Sequence, residues 1–503
     1  MAQLRPAPGH TGRRAMMVAV LAAPPELTSL RLMSLGQVVD ALEVRADLTA
    51  DPDPRLLRRH FTGTLIYRLP TPAQRGCCPH GPARNARLLG AAAHYNLIDL
   101  EWPGDLAPEL LAAVPAHRRR ISWYGAATDP AGLRKLFQQM AATPAAQYLL
   151  APEATSAEAA LSPVLLLATL GRADVTAFAT GAAGTWSRIL SPWLGAPVVF
   201  GRPATPGLDG TPSVEQLKTD YGLPGLPHLS SLFGIVGRAP GQSASPRLHN
   251  GAYRRLSLPA LYLPFQVDHL PRFWRAMVGS DLAMAGLALR GVTVAAPHKE
   301  DALELADLPS PVARGCGAAN VLWEDDGLWR ADTTDPASVL QALAQTGIAP
   351  AGRRAAVIGC GGTGRAVAMA LQQAGAEVTV VNRGWRRGSQ AARLLGLPFI
   401  PLSRFCPHSH GLVVHATPLV EREPFPVMGA GPDTVIVDMV YRDPPTPVMV
   451  AARARGLRAV DGWEVLLLEV QEQFHLLTGR SMPGGLARFL LSGGEPAAPG
   501  CPT

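Results

Sequence analysis

The sequence predicts an α/β chain in two parts: a (β/α)8 barrel, then a second α/β unit ending in a Rossmann-type dinucleotide-binding domain. Three observations predict it. Short apolar runs recur through residues 1–228 with helix-length spacers between them, the pattern restarts after a turn-rich stretch at 219–231, and a glycine-rich string lies between apolar runs at 355–383. With 503 residues the chain has room for about three cores, since one core rarely exceeds roughly 250 residues.

In the first part the runs fall at 15–23, 41–47, 63–70, 95–102, 120–126, 147–154, 175–181 and 196–203. Their apolar residues are continuous rather than alternating, as in strands of a buried parallel sheet. Eight strand–helix units close into a barrel, a fold whose chemistry sits at the C-terminal ends of its strands. The run at 15–25 follows Arg13 and Arg14 as a leader peptide would, but no cleavage site follows it and a buried strand accounts for it equally well.

The second part reads as two domains. Strands at 231–237, 261–267 and 291–297 belong to a domain over 229–335, which closes where a helix follows Asp335. The next domain spans 336–490, with strands at 355–364, 377–383, 411–418 and 433–441, a helix to about Ala374 and a closing helix at 464–477. The tail 491–503 is expected to be disordered.

Composition excludes several functions. Six cysteines without a C-x-x-C pair or a zinc-like Cys/His spacing predict free thiols, no metal centre and a reducing, cytoplasmic setting. A net charge of +7 is spread along the chain, and the short clusters at Arg118–Arg120 and Arg386–Arg387 are too small for a nucleic-acid surface, so small anions are the expected ligands. No apolar run approaches the roughly 20 residues of a membrane span. Lysine occurs only at positions 135, 218 and 299, which leaves amine chemistry three possible sites.

The string VIGCGGTGRAV places Gly359, Gly361, Gly362 and Gly364 between a strand and a helix. Glycines there let backbone approach a pyrophosphate, and the helix N-terminus offers N–H donors to it. The next strand ends in Asn382 and Arg383, with Arg386 and Arg387 following. A carboxylate at this point would hold a ribose hydroxyl, whereas guanidinium groups bind a 2′-phosphate, so NADP (NADPH) is favoured over NAD.

Upstream, GRAPGQSASPRLHN sets Ser243 and Ser245 before a helix, and APHKED, GAAN and ADTTD carry Lys299, Asn320 and Asp335. This set of strings, in this order ahead of the glycine-rich loop, resembles shikimate dehydrogenase. The string DGWEVLLLEVQEQFHLLTG (461–479) looks like the end of the fused plant-type enzyme, where shikimate dehydrogenase follows a type I 3-dehydroquinate dehydratase barrel. The resemblance implies a small-molecule substrate, shikimate or 3-dehydroshikimate, in aromatic amino acid biosynthesis. It implies that Ser243 and Ser245 hold the substrate carboxylate, that Lys299 passes the proton, and that Asn320 and Asp335 bind the reacting hydroxyl and its neighbour. A lysine beside a carboxylate and partly desolvated is expected to exchange a proton near neutral pH.

Several positions depart from the family pattern. Thr293 and Ala295 stand where an asparagine and a threonine are usual, Thr333 and His415 replace asparagines, and Glu469 replaces a substrate-touching glutamine; Tyr441 fits. A carboxylate at 469 would repel an anionic substrate unless protonated or turned away. In the barrel, Glu43, Arg45, Arg68 and Arg188 match family residues, but Leu150 stands at the imine-forming lysine, Tyr124 at the histidine and Leu208 at a glutamine. Without an amine no imine forms, so the barrel is expected to be inactive. Three alternatives stay open: a quinate/shikimate dehydrogenase, a non-catalytic regulator of the quinate pathway, and an enzyme that is still bifunctional.

Overall fold

Eight parallel strands make the first sheet of the computed structural model, which describes residues 14–204, 207, 209–279 and 287–494. They are β1 (Met16–Leu21), β2 (Ala41–Arg45), β3 (Thr64–Arg68), β4 (Leu97–Glu101), β5 (Arg119–Gly125), β6 (Gln147–Pro152), β7 (Val175–Ala177) and β8 (Val198–Gly201). Successive strands pair from β1 to β7, and β8 returns to β1 with Met16 opposite Val198, so the sheet is a nearly closed barrel. All eight strands lie within or against the apolar runs of the sequence.

Strand alternation sorts the side chains between two layers. Val18, Ala41, Ile66, Leu97, Leu149, Ala151 and Phe200 form the cluster inside the barrel. Ile121, Tyr148 and Leu150 face the other way, onto Leu133 and Phe137 of the helix Pro130–Ala141 and Leu166 of the helix Leu161–Leu170. This corrects the sequence reading by one residue: Leu150 belongs to the helix-facing layer, and the inward positions of β6 are 147, 149 and 151. They carry Gln147, Leu149 and Ala151, so the strand still presents no amine to the interior.

By chain contacts one compact unit runs up to Leu289 and a second spans Arg290–Gly494; the division falls inside the 229–335 segment. The first unit continues past the barrel with β9 (Ser231–Gly237) and β10 (Ala260–Gln266), a parallel pair joined by the helix Ser245–Arg255. This pair packs on the barrel, where Trp186 lies 5.5 Å from Phe265 and the Arg254 guanidinium donates to the Thr219 carbonyl at 2.7 Å.

The second unit begins within β11 (Ala288–Val294), which through Gly291–Thr293 pairs antiparallel with β13 (Val321–Asp325); β13 turns back as β14 (Leu328–Asp332), and the short β12 (Leu308–Pro309) lies beside β14. After the helix Asp335–Gln345 come β15 (Arg354–Ile358), β16 (Glu377–Asn382), β17 (Phe399–Pro401), β18 (Leu412–His415), β19 (Val435–Asp438) and β20 (Ala459–Val460). They form one parallel sheet in the order β17-β16-β15-β18-β19-β20, the doubly wound arrangement expected of a dinucleotide-binding domain. Its core is the run of Val, Ile and Ala side chains, such as Val357, Val380, Val414 and Val437, under the helices Gly362–Gln373 and Gly462–Thr478. Of the tail, 495–503 lies outside the described residues, as does Leu208; Leu491 still closes a short helix, Leu486–Leu491. No helix among the described residues is long and apolar enough to cross a membrane.

Candidate active site

Lys299 opens the helix Lys299–Glu304, just past the end of β11. Its Nζ donates to Asp335 Oδ2 at 2.7 Å and to Thr363 Oγ1 at 2.7 Å. Asp335 is the first residue of its own helix and Thr363 the second of the helix Gly362–Gln373 that follows the glycine-rich turn, so one ammonium ties three helices together. The Lys299 side chain is only 13% exposed and that of Asp335 2%, so the pair sits away from bulk water. Burial alone would pull the ammonium's pKa down, but the charges of Asp335 and Glu469 and the hydrogen bond to Asp335 outweigh it and raise the pKa above the usual lysine value. The expectation of a lysine titrating near neutrality is therefore corrected. Two carboxylates face one amine, and the amine stays charged.

Asn320, at the entry to β13, joins the same cluster. Its Nδ2 shares two N–H groups among three acceptors, Thr334 Oγ1 (2.9 Å), Glu469 Oε1 (3.0 Å) and, at longer range, Asp335 Oδ1 (3.3 Å), while its carbonyl accepts from the Thr334 N–H at 2.9 Å. Glu469 comes from the closing helix and accepts a second amide donor, Gln473 Nε2, at 2.8 Å. Burial and the neighbouring Asp335 push its carboxyl up to about 7, against the opposing pull of Lys299 and the two amides.

The glycine-rich turn fits a dinucleotide. Gly359 has φ +113°, and a β-carbon there would lie 2.5 Å from the Ala416 carbonyl oxygen. A β-carbon on Gly364 would strike the Gly359 carbonyl oxygen, so the turn and its helix pack with no side chain between them. At Gly361, the N-cap of the helix, an added β-carbon meets nothing, which leaves open space beside the first helical N–H groups. At Gly362 it would lie 2.9 Å from Cβ of Lys299, so this glycine lets the lysine helix rest on the turn. At the end of β16 the Asn382 side chain donates to the Gly384 carbonyl at 2.9 Å, and beyond it Arg383, Arg386 and Arg387 are exposed. Arg387 pairs with Glu300 at 2.8 Å, and the buried Arg365 reaches the same carboxylate at 2.8 Å.

The other expected residues sit as follows. Ser243 donates to Ser245 Oγ at 3.1 Å and accepts from the Ser245 N–H at 3.2 Å, at the start of the helix Ser245–Arg255 in the first unit. Thr293 is buried in β11 opposite Val321. Tyr441 follows β19 with its ring 5.2 Å from that of Trp463. His415 is fully buried, its Nδ1 3.0 Å from Asp438 Oδ1 and its Nε2 2.7 Å from Thr417 Oγ1, which pins the ends of β18 and β19 together. Sequence reasoning missed Thr363, Thr334 and Gln473. Thr363 stands inside the glycine string and Gln473 four residues after Glu469, one helical turn away, so both had a positional signal.

Inside the barrel, Glu43 pairs with Arg120 at 2.6 Å and Arg68 at 3.4 Å, and Asp99 takes Arg120 at 2.6 Å and Arg68 at 3.4 Å. Arg68 lies 4.0 Å over the Tyr124 ring and Arg188 4.0 Å over Phe178. Arg45 is turned to Asp47, 2.8 Å away. Lys135 and Lys218 are exposed on helices.

Comparison with known proteins agrees with both halves. Residues 17–226 match the model for type I 3-dehydroquinase, and residues 235–322 the model for the shikimate dehydrogenase substrate binding domain. A shikimate dehydrogenase (NADP(+)) of Syntrophobacter fumaroxidans is 32% identical over 268 residues, which are 51% of this chain and 90% of that protein. One from Acidiphilium cryptum is 38% identical over 243 residues, 47% of this chain and 86% of that protein. The chloroplastic bifunctional 3-dehydroquinate dehydratase/shikimate dehydrogenase of Arabidopsis thaliana is 27% identical over 338 residues, 62% of this chain and 55% of that protein. A lysine–aspartate pair set on a glycine turn, in a chain this similar to such proteins, places it: the chain belongs to the shikimate dehydrogenase family, with a barrel of type I 3-dehydroquinase kind fused ahead of that unit.

Proposed function

We propose that the chain is an NADP-dependent shikimate dehydrogenase, an oxidoreductase that interconverts 3-dehydroshikimate and shikimate in aromatic amino acid biosynthesis. The observation that carries this is the Lys299 ammonium, 2.7 Å from both Asp335 and Thr363 of the glycine string. NADPH is the hydride source of the reaction; the chain's own residues supply the proton and the orientation. Reduction of a ketone needs one proton at the new alkoxide, and Lys299, held charged by the adjacent Asp335 carboxylate, has an N–H left to donate it. Asp335 and Asn320 orient the reacting oxygen and its neighbour, and Ser243 and Ser245 hold the carboxylate. Thr293, Tyr441 and Glu469 complete the substrate set. Gly359, Gly361, Gly362 and Gly364 accommodate the pyrophosphate, with Asn382, Arg383 and Arg387 at the adenosine end. On this reading 229–335 binds substrate, 336–490 binds cofactor and 1–228 is the barrel.

The barrel, in the same proposal, has no dehydratase activity. Its inward positions on β6 lack an amine, and Tyr124 supplies no imidazole. The experiment is NADPH formation from shikimate, with quinate and NAD as alternatives, repeated on Lys299→Ala. Loss of at least about a hundredfold in kcat for that variant is expected for a lost proton-transfer group; unchanged turnover would remove Lys299 from the chemistry.

A further inference from the structure

Glu469 differs from the other carboxylate of the site in how its two oxygens are used. Oε1 accepts two amide N–H groups, from Asn320 at 3.0 Å and Gln473 at 2.8 Å, whereas no hydrogen bond to Oε2 is found among the described residues. That asymmetry suits a protonated acid, with a carbonyl oxygen between two donors and a hydroxyl left for a further acceptor. The surroundings favour the same form. Asn320 bridges the two carboxylates, touching Asp335 Oδ1 at 3.3 Å, and only one ammonium, Lys299, is present to balance them. With both ionised the cluster carries a net negative charge; with Glu469 protonated it is neutral.

Charges on other elements packed against the Glu469 helix do not alter this count. Arg488 is bonded to Glu464, Glu324 to Arg290 and Asp325 to Arg330, and the remaining neighbours Asn320, Thr334 and Gln473 are neutral. Asp335 and Lys299 are the charged groups that face Glu469.

We propose that Glu469 is a specificity-determining residue that admits an anionic substrate in its protonated form and repels it once ionised, so that binding of the substrate is coupled to uptake of a proton. The proposal rests on the dehydrogenase reading and deepens it: the substrate class is a carboxylic acid with a ring hydroxyl or ketone, and the neutral Oε2 hydroxyl is the donor offered to it. Burial beside Asp335, which already pushes this carboxyl up to about 7, places the transition inside the working range of a cell. The sign follows directly. Below that value the acid form prevails and the anion binds well; above it a second negative charge stands in the site.

The test uses the full chain with NADP and shikimate, measuring kcat and KM from about pH 6 to about pH 9, on the unmodified protein and on Glu469→Gln. In the unmodified protein KM is expected to rise about fivefold or more above neutrality, with kcat changing less; in Glu469→Gln, neutral at every pH, KM stays flat. A KM that is flat in the unmodified protein, or that rises equally in the variant, overturns the proposal. Should the variant not fold, calorimetric titration of the unmodified protein with shikimate, in buffers of different ionisation heat, gives a second reading. Uptake of a fraction of a proton per ligand bound near neutrality supports the proposal, and binding without uptake overturns it. Turnover with a pH-invariant KM counts against Glu469 alone, whereas absence of any turnover removes the dehydrogenase reading and this proposal with it.

Discussion

Gly361 and Gly362 are adjacent, yet a methyl group would act on them differently. At Gly362 it would meet Cβ of Lys299 at 2.9 Å, so Gly362→Ala is expected to displace the lysine and lower kcat by about tenfold or more. At Gly361 it enters open space, so Gly361→Ala should leave the melting temperature unchanged and weaken NADP binding, measured by NADPH fluorescence. Glu469 makes a further residue-scale prediction. Its folded pKa of about 7 lies above the ordinary 4.5, so its contribution to stability is complete below that ordinary value and is lost as pH rises through about 7. Glu469→Gln should therefore stabilise the protein at mildly alkaline pH, by on the order of 1–2 kcal/mol in urea denaturation, with little gain at about pH 4. At this scale the sequence was legible where chemistry needs rare residues: a chain with three lysines leaves few places for a catalytic amine. It was illegible for Thr334, because a threonine carries no pattern until the fold brings it to Asn320.

Among the elements, β5 depends on its neighbours for charge. Arg120 is nearly fully buried and bonds both Glu43 of β2 and Asp99 of β4. Removing one partner of a buried ion pair leaves the other charge unpaired, so Arg120→Ala is expected to destabilise the barrel by about 3 kcal/mol, read from the urea midpoint. Burial works against the Glu43 charge, but Arg120 and Arg68 overcome it and hold its pKa below the ordinary value, so this stabilisation fails as pH drops through the carboxylate range. All eight barrel strands could be read in advance because buried parallel strands are written as unbroken apolar runs. The hairpin of β13 and β14 could not, since half its residues are charged or exposed. Its signal was in the turn: Asp326 and Gly327, with φ of 52° and 80°, form the two-residue connection that matches strand twist. The inward parity of β6 also escaped the sequence, because in its YLLA run (148–151) both faces are apolar and alternation is invisible.

For the molecule as a whole, one reaction is proposed, the dehydrogenation, and none for the barrel. A full-length chain that reduces dehydroshikimate is expected to leave dehydroquinate undehydrated, and borohydride treatment with that ketone should leave its mass unchanged; a reduced-imine adduct would contradict the assignment of the barrel. That a second α/β part follows the barrel was readable from where the apolar pattern restarts, but the division by contacts at Leu289 was not, because contacts between distant segments leave no mark on local composition. The scarcity of primary amines has one more outcome. Lys135 and Lys218 stand on the outside of barrel helices, whereas the third side-chain amine is sequestered against Asp335. Dyes, crosslinkers and sensor surfaces that couple through succinimidyl esters will therefore attach to lysine side chains of the first unit alone, leaving the nucleotide-binding sheet untouched and free to report on its ligands.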